Sequence, residues 1–177
     1  MIEIQPAKFE EKQLIRRLLE LYSHDLSEYE GSDLNEHGEF GYKYFDQYWG
    51  EADRHPFLVR FDGNPAGFVF VNKFVYSEGI DYSIAEFFVV RKYRRKGIGQ
   101  KVVTEILGHF EGSWEIRAIR NNRRAIRFWN TALSEITNRK TKLIEDGIGD
   151  WTGPIWIIAK ETIQNKSAHT TPAIAPR

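Results

Sequence analysis

Residues 84–110 restrict the fold of this chain more than any other stretch, because they read as a strand, a basic loop and a helix in succession. The first part, IAEFFVV, is a short apolar run of the kind that forms a buried strand. The last part carries apolar residues at helical spacing, namely Ile98, Val102, Val103, Ile106, Leu107 and Phe110. A strand that leads directly into an amphipathic helix predicts a fold in which helices cover a sheet.

The charge at the start of this helix has an unusual sign. Cations crowd it, with no acid between Arg91 and Thr104: Arg91, Lys92, Arg94, Arg95, Lys96 and Lys101. A helix N-terminus already carries partial positive charge and normally attracts Asp or Glu. Extra cations are favourable there if an anion binds to the backbone N–H groups, which Gly97 and Gly99 leave accessible. We call residues 94–100 the glycine loop and predict that it binds a phosphate-type anion.

The composition of the 177-residue chain excludes several classes of protein. Its 41% hydrophobic and 14% aromatic content is typical of one globular domain. Basic and acidic residues number 25 each, which argues against general nucleic-acid binding. One basic cluster is a weaker indication of RNA binding: Arg117, Arg120, Arg123, Arg124 and Arg127. The chain has no cysteine, and we expect a cytoplasmic protein that contacts neither membrane nor metal.

The remaining periodicities supply the other elements. Strands are predicted at 2–5, 57–61, 66–75, 84–90, 114–119, 142–145 and 155–160, and helices at 10–29, 40–49, 98–110 and 122–133. They predict an α/β fold of the α+β type, a mixed and mostly antiparallel twisted sheet of about six to seven strands with helices on both faces. Residues 1–163 form a single predicted domain, and 164–177 a disordered C-terminal tail.

Two common phosphate-binding motifs do not fit the glycine loop. A Walker P-loop requires G-x-x-x-x-G-K-[ST], and the chain contains no such run. A Rossmann fingerprint requires a third glycine where Val102 stands, and it opens an all-parallel unit.

A third pattern does fit. Residues 94–99, RRKGIG, match [QR]-x-x-G-x-[GA], and residues 122–129, NRRAIRFW, resemble N-x-x-A-x-x-F-Y just after the next strand. In both motifs, and in element order from 57 to 160, the chain resembles the GNAT superfamily of N-acyltransferases. The resemblance implies a GNAT-like fold and acetyl-CoA as co-substrate.

The resemblance also implies roles for particular residues. The glycine loop would bind the pyrophosphate through backbone N–H groups: Arg94, Arg95, Lys96, Gly97, Ile98, Gly99 and Gln100. Val89 and Val90 would pair their main chain with the pantetheine arm, and an N–H near Val90 would serve the oxyanion. Asn122 would bond the pantetheine arm, cap the following helix, or both. The partner of the 3′-phosphate stays open among Lys96, Lys101, Arg124 and Arg127.

Glu86 is the candidate general base, since relatives often carry a carboxylate on this strand and burial would raise its pKa. The alternative is a carboxylate that only bonds neighbouring loops. Trp129 departs from the tyrosine of many relatives, and indole has no titratable proton to give a thiolate. The proton path to the thiolate therefore stays open.

Two functions remain for comparison with the structure. The first is an N-acetyltransferase that transfers acetyl from acetyl-CoA to a primary amine, on a small molecule or a peptide, by direct attack in a ternary complex. The second is a non-catalytic coenzyme A sensor or degenerate member, which would keep the loop without the chemistry. Relatives often pair through edge strands, so a homodimer is one expected assembly.

Overall fold

A computed structural model describes residues 1–136 and 138–160, and these form a single seven-stranded sheet with three α-helices. The strands are β1 (Ile2–Pro6), β2 (Arg54–Phe61), β3 (Asn64–Asn72), β4 (Tyr82–Val89), β5 (Trp114–Arg117), β6 (Thr141–Ile144) and β7 (Ile155–Ile158). The helices are α1 (Lys12–Glu30), α2 (Ile98–His109) and α3 (Arg123–Ser134). The predicted tail, and the predicted domain limit at residue 163, lie outside the described residues.

The strand order is β1-β2-β3-β4-β5-β7-β6. Every neighbouring pair is antiparallel except β4 and β5, which are parallel because α2 forms the crossover between them. The predicted mixed, mostly antiparallel sheet is therefore confirmed. β1 and β6 are its two edges, and pairing through them into a homodimer stays a prediction. Within the described residues, no helix has the length and apolar character needed to cross a bilayer.

Alternation along the strands divides the core between the two faces of the sheet. On one face α1 covers a cluster of Ile15, Leu18, Leu19, Phe45, Tyr48, Leu58, Phe68, Phe70 and Phe88. On the other face α2 and α3 cover a larger cluster centred on β3, β4 and β5. α1 ends at Gly31, whose φ of 68° is the left-handed conformation that glycine adopts at low cost. The helices thus occupy both faces, as the sequence predicts.

The helix predicted over residues 40–49 is wrong. Only a 3-10 turn at Asp46–Trp49 forms there, and residues 40–45 are irregular. Gly41 has a φ of 70°, a conformation that no α-helix contains. The aromatic spacing imitates helical periodicity because Phe45 and Tyr48 both reach the same ring, Phe70 of β3. Two aromatic residues of this segment, Phe45 and Tyr48, are buried in the core.

β3 also ends before the predicted limit at residue 75. It stops at Asn72, whose side-chain oxygen accepts a hydrogen bond from Phe74 N–H at 3.0 Å. This local bond turns the chain away from the sheet, as asparagine does in turns. Residues 73–81 consequently form a loop beside β5.

Candidate active site at the split between two central strands

The site begins where β4 and its parallel neighbour β5 separate. Pairing between them ends at Ile84 opposite Ile116. Among the described strands, β4 then continues to Val89 paired with β3 alone, whereas β5 stops at Arg117. Residues 85–89 therefore form an open edge of β4 in the middle of the sheet.

Irregularities on both strands produce this separation. The register between β3 and β4 shifts at Ala85, a β-bulge that bends the strand. After β5, the N–H of Ala118 donates to the carbonyl of Pro154 at 3.2 Å, which draws the chain toward β7. The approach is so close that a Cβ at Gly153 would lie 2.1 Å from the Ala118 oxygen. Both features hold β4 and β5 apart.

The backbone groups of the open edge differ in whether they point into the gap. Val90 N–H donates to Ala66 O of β3 at 2.8 Å, so it points away from the gap. Because N–H groups alternate along a strand, those of Val89 and Phe87 point into it. The carbonyl of Val89 accepts a hydrogen bond of 2.6 Å from Arg94 Nε. The donor expected near Val90 is thus Val89 in this geometry, and Val90 does not present its N–H to the gap.

The N-terminus of α2 lies at the end of this edge. The first backbone bond into the helix runs from Lys101 N–H to Gly97 O, so the N–H groups of residues 98–100 precede the helical ladder. Gly97 has a φ of 74° and Arg95 a φ of 60°, two left-handed residues that turn the glycine loop around this terminus. Within the described residues, no side chain caps the helix at Gly97. The terminus can therefore accept an anion.

Two residues of the glycine loop are fixed against α3. A Cβ at Gly99 would lie 2.9 Å from Cε2 of Phe128, so only glycine permits this contact between α2 and α3. The side chain of Gln100 donates from Nε2 to the carbonyl of Ala132 at 3.0 Å. The side chain of Gln100 is thereby used for packing, and its main chain remains at the helix N-terminus.

The cations of the loop fall into two groups. Arg94 donates from Nη2 to Asp25 Oδ2 of α1 at 2.6 Å, and Arg91 donates to Oδ1 of the same carboxylate. Burial raises the pKa of Asp25, but these hydrogen bonds outweigh it and hold the pKa below its usual range. Arg95 and Lys96 are exposed. Of the three cations within the glycine loop, Arg95 and Lys96 therefore face solvent, whereas Arg94 is bound to Asp25.

Two aromatic residues of the second motif pack against the open edge of β4. Asn122 caps α3, since its Oδ1 accepts a hydrogen bond from Ala125 N–H at 3.0 Å. Trp129 is buried, with its ring centroid 5.1 Å from that of Phe87 on the open edge. Phe128 stacks on the same Phe87 ring at 5.3 Å. Capping by Asn122 is confirmed, while its contact with a pantetheine arm stays a prediction.

Glu86 lies on the open edge and faces the α1 side of the sheet. Tyr22 donates to its Oε2 at 2.6 Å, and Tyr42 donates to its Oε1 at 2.9 Å. Burial raises the pKa of Glu86, assisted by the nearby charge of Glu30, while both hydroxyls and Arg117 oppose the rise. Burial, then the charge of Glu86, also raises the pKa of both tyrosines, so they remain donors. The result is a partly buried carboxylate in a fixed orientation.

Glu20, which lies on α1, holds the segment that carries Tyr42 close to Glu86. Glu20 accepts hydrogen bonds from the N–H groups of Phe40 and Gly41, at 2.8 and 3.0 Å. This tether attaches the irregular segment to α1 immediately before Tyr42. In the sequence, Glu20 is simply an acidic residue on a predicted helix. That pattern does not show whether its carboxylate binds a neighbouring segment or faces solvent.

The far wall of the gap on the α1 face comes from β5, the loop after β3 and the segment between β6 and β7. Glu115 is fully buried and accepts hydrogen bonds from the N–H groups of Tyr76 and Ser77. Arg117 lies over the rings of Tyr76 and Trp151, at 4.9 and 5.5 Å from their centroids. This wall is aromatic and carries one guanidinium close to Glu86.

The fold and the motifs together define a class of protein. The Acetyltransferase (GNAT) family model matches residues 15–133. The chain belongs to this family, which is one of acyltransferases. A comparison with curated proteins found no match.

Solved structures agree with this fold at low sequence identity. An acetyltransferase of Thermus thermophilus is 13% identical, with 92% of this chain and 97% of that chain covered at a TM-score of 0.66. The Arabidopsis thaliana NAA60 protein, solved with a bisubstrate analogue, is 16% identical, with coverages of 91% and 98% and a TM-score of 0.56. The PaiA N-acetyltransferase of Thermoplasma acidophilum, solved with coenzyme A, is 15% identical, with coverages of 90% and 99% and a TM-score of 0.57.

The residues at the split fit coenzyme A by their chemistry. A helix N-terminus with free N–H groups and two exposed cations suits a pyrophosphate. A Cβ at Gly97 would meet nothing within 4 Å, so the backbone is open on that side. The open edge of β4 offers main-chain donors of the kind that pair with an added strand or an amide-containing arm.

Proposed function

We propose that this protein is an acetyl-CoA-dependent N-acetyltransferase that acts on a primary amine by direct attack in a ternary complex. One observation carries the proposal: Glu86, a carboxylate of raised pKa, lies on the same open edge of β4 that leads to the N-terminus of α2. The proposed base and the proposed anion site would thus be served by one strand edge. The chain has no cysteine to serve as an acyl carrier, which favours direct transfer.

Acetyl-CoA supplies an activated thioester to this site. The N–H groups of residues 98–100 would hold its pyrophosphate, with Arg95 and Lys96 adding positive charge. Val89 N–H points into the gap, where it would donate to the acetyl oxygen as negative charge develops there. Asn122 lies at the start of α3 beside the gap and would serve the pantetheine arm.

Glu86 would remove the proton that a protonated amine must lose before it can attack. A lysine-like amine has a pKa of about 10.4 and is mostly protonated at neutral pH. Burial raises the pKa of Glu86 toward the range in which a carboxylate is an effective base. Glu86 would take the first proton from the ammonium, directly or through water, and release it to solvent. The free amine then adds to the thioester carbon, and the carbon–sulfur bond breaks as the resulting oxyanion collapses. The second proton leaves the nitrogen at this stage and balances the proton that the departing thiolate takes up. Trp129 has no titratable proton, so the thiolate would be protonated by solvent; a thiol pKa of about 8.5 makes it a fair leaving group.

The acceptor would enter from the α1 face. Tyr22 and Tyr42 flank Glu86, and Tyr76 and Trp151 form the opposite wall. Aromatic walls around a carboxylate suit a cationic amine with an apolar body, on a small molecule or at a peptide N-terminus.

Thiol release from acetyl-CoA with a panel of amines and peptides tests this function. We expect turnover with at least one primary amine, and coenzyme A binding by calorimetry. Reversing charge at Arg95 and Lys96 should abolish binding, whereas Lys92→Glu, outside the glycine loop, should leave most of it. Coenzyme A binding without turnover for any acceptor would favour a sensor, for which the buried Trp129 is the supporting observation. Absence of coenzyme A binding would reject both functions.

A further inference from the structure

We infer that Asp25 is a positioning residue that sets the place of the glycine loop relative to Glu86. The inference rests on the proposed function. Its basis is a group that we call the Asp25 bracket, formed by Asp25, Arg91 and Arg94. One carboxylate on α1 accepts hydrogen bonds from both arginines at the start of the loop.

Arg94 connects three elements at once. Its Nη2 donates to Asp25 on α1, and its Nε donates to the carbonyl of Val89 at the end of β4, both at 2.6 Å. Its own backbone begins the glycine loop. Its guanidinium also lies over the ring of Phe88, 5.5 Å from the centroid. The side chain of Arg94 is 37% exposed, but two of its nitrogens are held by protein oxygens. We therefore assign it the role of linking α1 to β4 rather than that of binding the anion.

The same helix also holds the proposed base. Tyr22 and Asp25 are three residues apart on α1, so they lie on one face of the helix. Tyr22 donates to Glu86, and Asp25 holds Arg94. α1 thus fixes the carboxylate and the glycine loop from adjacent positions about 4.5 Å apart along the helix axis.

The charge of Asp25 does not by itself explain why an acidic residue lies beside the glycine loop. Asp25 is a partly buried anion beside a site proposed for another anion, so its charge opposes pyrophosphate binding. Removing that charge would leave two arginines unneutralised and should tighten the binding of coenzyme A if electrostatics dominated. If Asp25 acts by holding Arg94 and the loop, its removal should weaken binding in spite of the added positive charge. The two accounts predict opposite signs.

The experiment compares coenzyme A affinity by calorimetry, well below the unfolding temperature, for the wild type, Asp25→Asn and Glu28→Gln. Glu28 is exposed, and its charge acts on Arg91 without a hydrogen bond to the bracket, so it is the matched control. We expect Asp25→Asn to bind about tenfold more weakly, a typical coupling between groups in one ion-pair network. Glu28→Gln should be unchanged or slightly tighter.

A double-mutant cycle tests whether Asp25 acts through Arg94. In an Arg94→Met background, Asp25→Asn should change the affinity by less than about twofold. Should Asp25→Asn fail to fold, Arg94→Lys carries the same test, because lysine keeps the charge but cannot hold Asp25 and Val89 O together. Unchanged or tighter binding in Asp25→Asn, or equal losses in both backgrounds, would overturn the positioning role and leave the proposed function intact. Failure of the wild type to bind coenzyme A would instead reject the proposed function.

Discussion

The hydroxyl of Tyr22 lies 2.6 Å from Oε2 of Glu86, although 64 residues separate them in the chain. With Tyr42 on the other oxygen, both carboxylate oxygens of Glu86 accept a hydrogen bond from a phenol. These bonds stabilise the ionised form, while burial favours the neutral form, so the pKa of Glu86 reflects a balance of opposed effects. Single substitutions that remove a hydrogen-bond donor or the carboxyl group itself therefore test the pKa of Glu86.

Removing the Tyr22 hydroxyl should move the acidic limb of the pH–rate profile to higher pH. Tyr22→Phe deletes a donor to the ionised carboxylate, so the pKa of Glu86 rises further. At a pH below the limb the variant should be slower, and on the plateau the two proteins should approach each other. Tyr29→Phe on the same helix is the control and should keep the wild-type profile. A limb that does not move in Tyr22→Phe would show that Glu86 is not the group titrated in catalysis.

Replacing Glu86 itself should lower the rate most where the acceptor is protonated. Loss of a general base typically costs about 10²- to 10⁴-fold, and Glu86→Gln keeps the shape of the side chain. The deficit should shrink as the pH approaches the pKa of the amine, since the free amine no longer needs a base. We would measure kcat/KM from pH 6 to 10 with one acceptor. Coenzyme A affinity should stay within about twofold of wild type, because the carboxylate does not touch the glycine loop. A constant ratio of rates across this range would remove Glu86 as the base.

The tether at Glu20 should affect the acceptor and not coenzyme A. Glu20→Ala releases the N–H groups of Phe40 and Gly41, so the segment that carries Tyr42 loses its attachment to α1. Each lost charge-assisted hydrogen bond is worth about 1.5–3 kcal/mol, which is enough to populate other loop conformations. The KM for the amine should rise about tenfold or more, with coenzyme A binding unchanged. Equal losses for both ligands would place the effect in the fold as a whole.

The glycine loop, the sheet and the order of elements could all be predicted from the sequence because local patterns determine them. Apolar periodicity identifies α1, α2 and α3, and the two glycines of the loop mark the turn into α2. The family resemblance then predicts an anion site at residues 94–100, which stays a prediction. For these features, the information lies within a few residues of the feature itself.

The side-chain clusters of the site could not be predicted in the same way. Tyr22, Tyr42 and Glu86 come from three separate segments. Asp25 and Arg94 come from two, and their contact spans 69 residues. No periodicity encodes which tyrosine meets a distant carboxylate. The same limit explains the error at residues 40–49, where contacts with Phe70 across the fold produced a spacing that imitates a helix.

The contact between Gly99 and Phe128 should make coenzyme A binding sensitive to a single methyl group. In Gly99→Ala the new Cβ would lie 2.9 Å from the Phe128 ring, so the N-terminus of α2 must shift from α3. Coenzyme A affinity should fall about tenfold or more, because the N–H groups of the terminus move with it. Gly108→Ala, in the same helix, is the control. A Cβ at Gly108 would meet nothing within 4 Å, and alanine should stabilise the helix by about 0.5–1 kcal/mol. Equal affinities in the two variants would contradict the packing argument.

The raised pKa of Glu86 also predicts how stability depends on pH. The folded protein holds this proton above the ordinary glutamate pKa of 4.5, whereas the unfolded chain has released it. The native state therefore binds more protons in that window, and the contribution of Glu86 to stability is complete below 4.5 and lost as the pH rises through its folded pKa. Glu86→Gln lacks this loss. Its free energy of unfolding relative to wild type should accordingly increase with pH from the acidic end of the window to neutrality.

Denaturant unfolding of both proteins at several pH values measures this difference. Groups such as Asp25, whose lowered pKa makes stability fall in acid, are present in both proteins and cancel. A changed hydrogen bond to Tyr22 or Tyr42 in the glutamine variant adds an offset that does not vary with pH. The slope is therefore the readout, and a difference that stays flat across the window would mean that burial does not raise the pKa of Glu86.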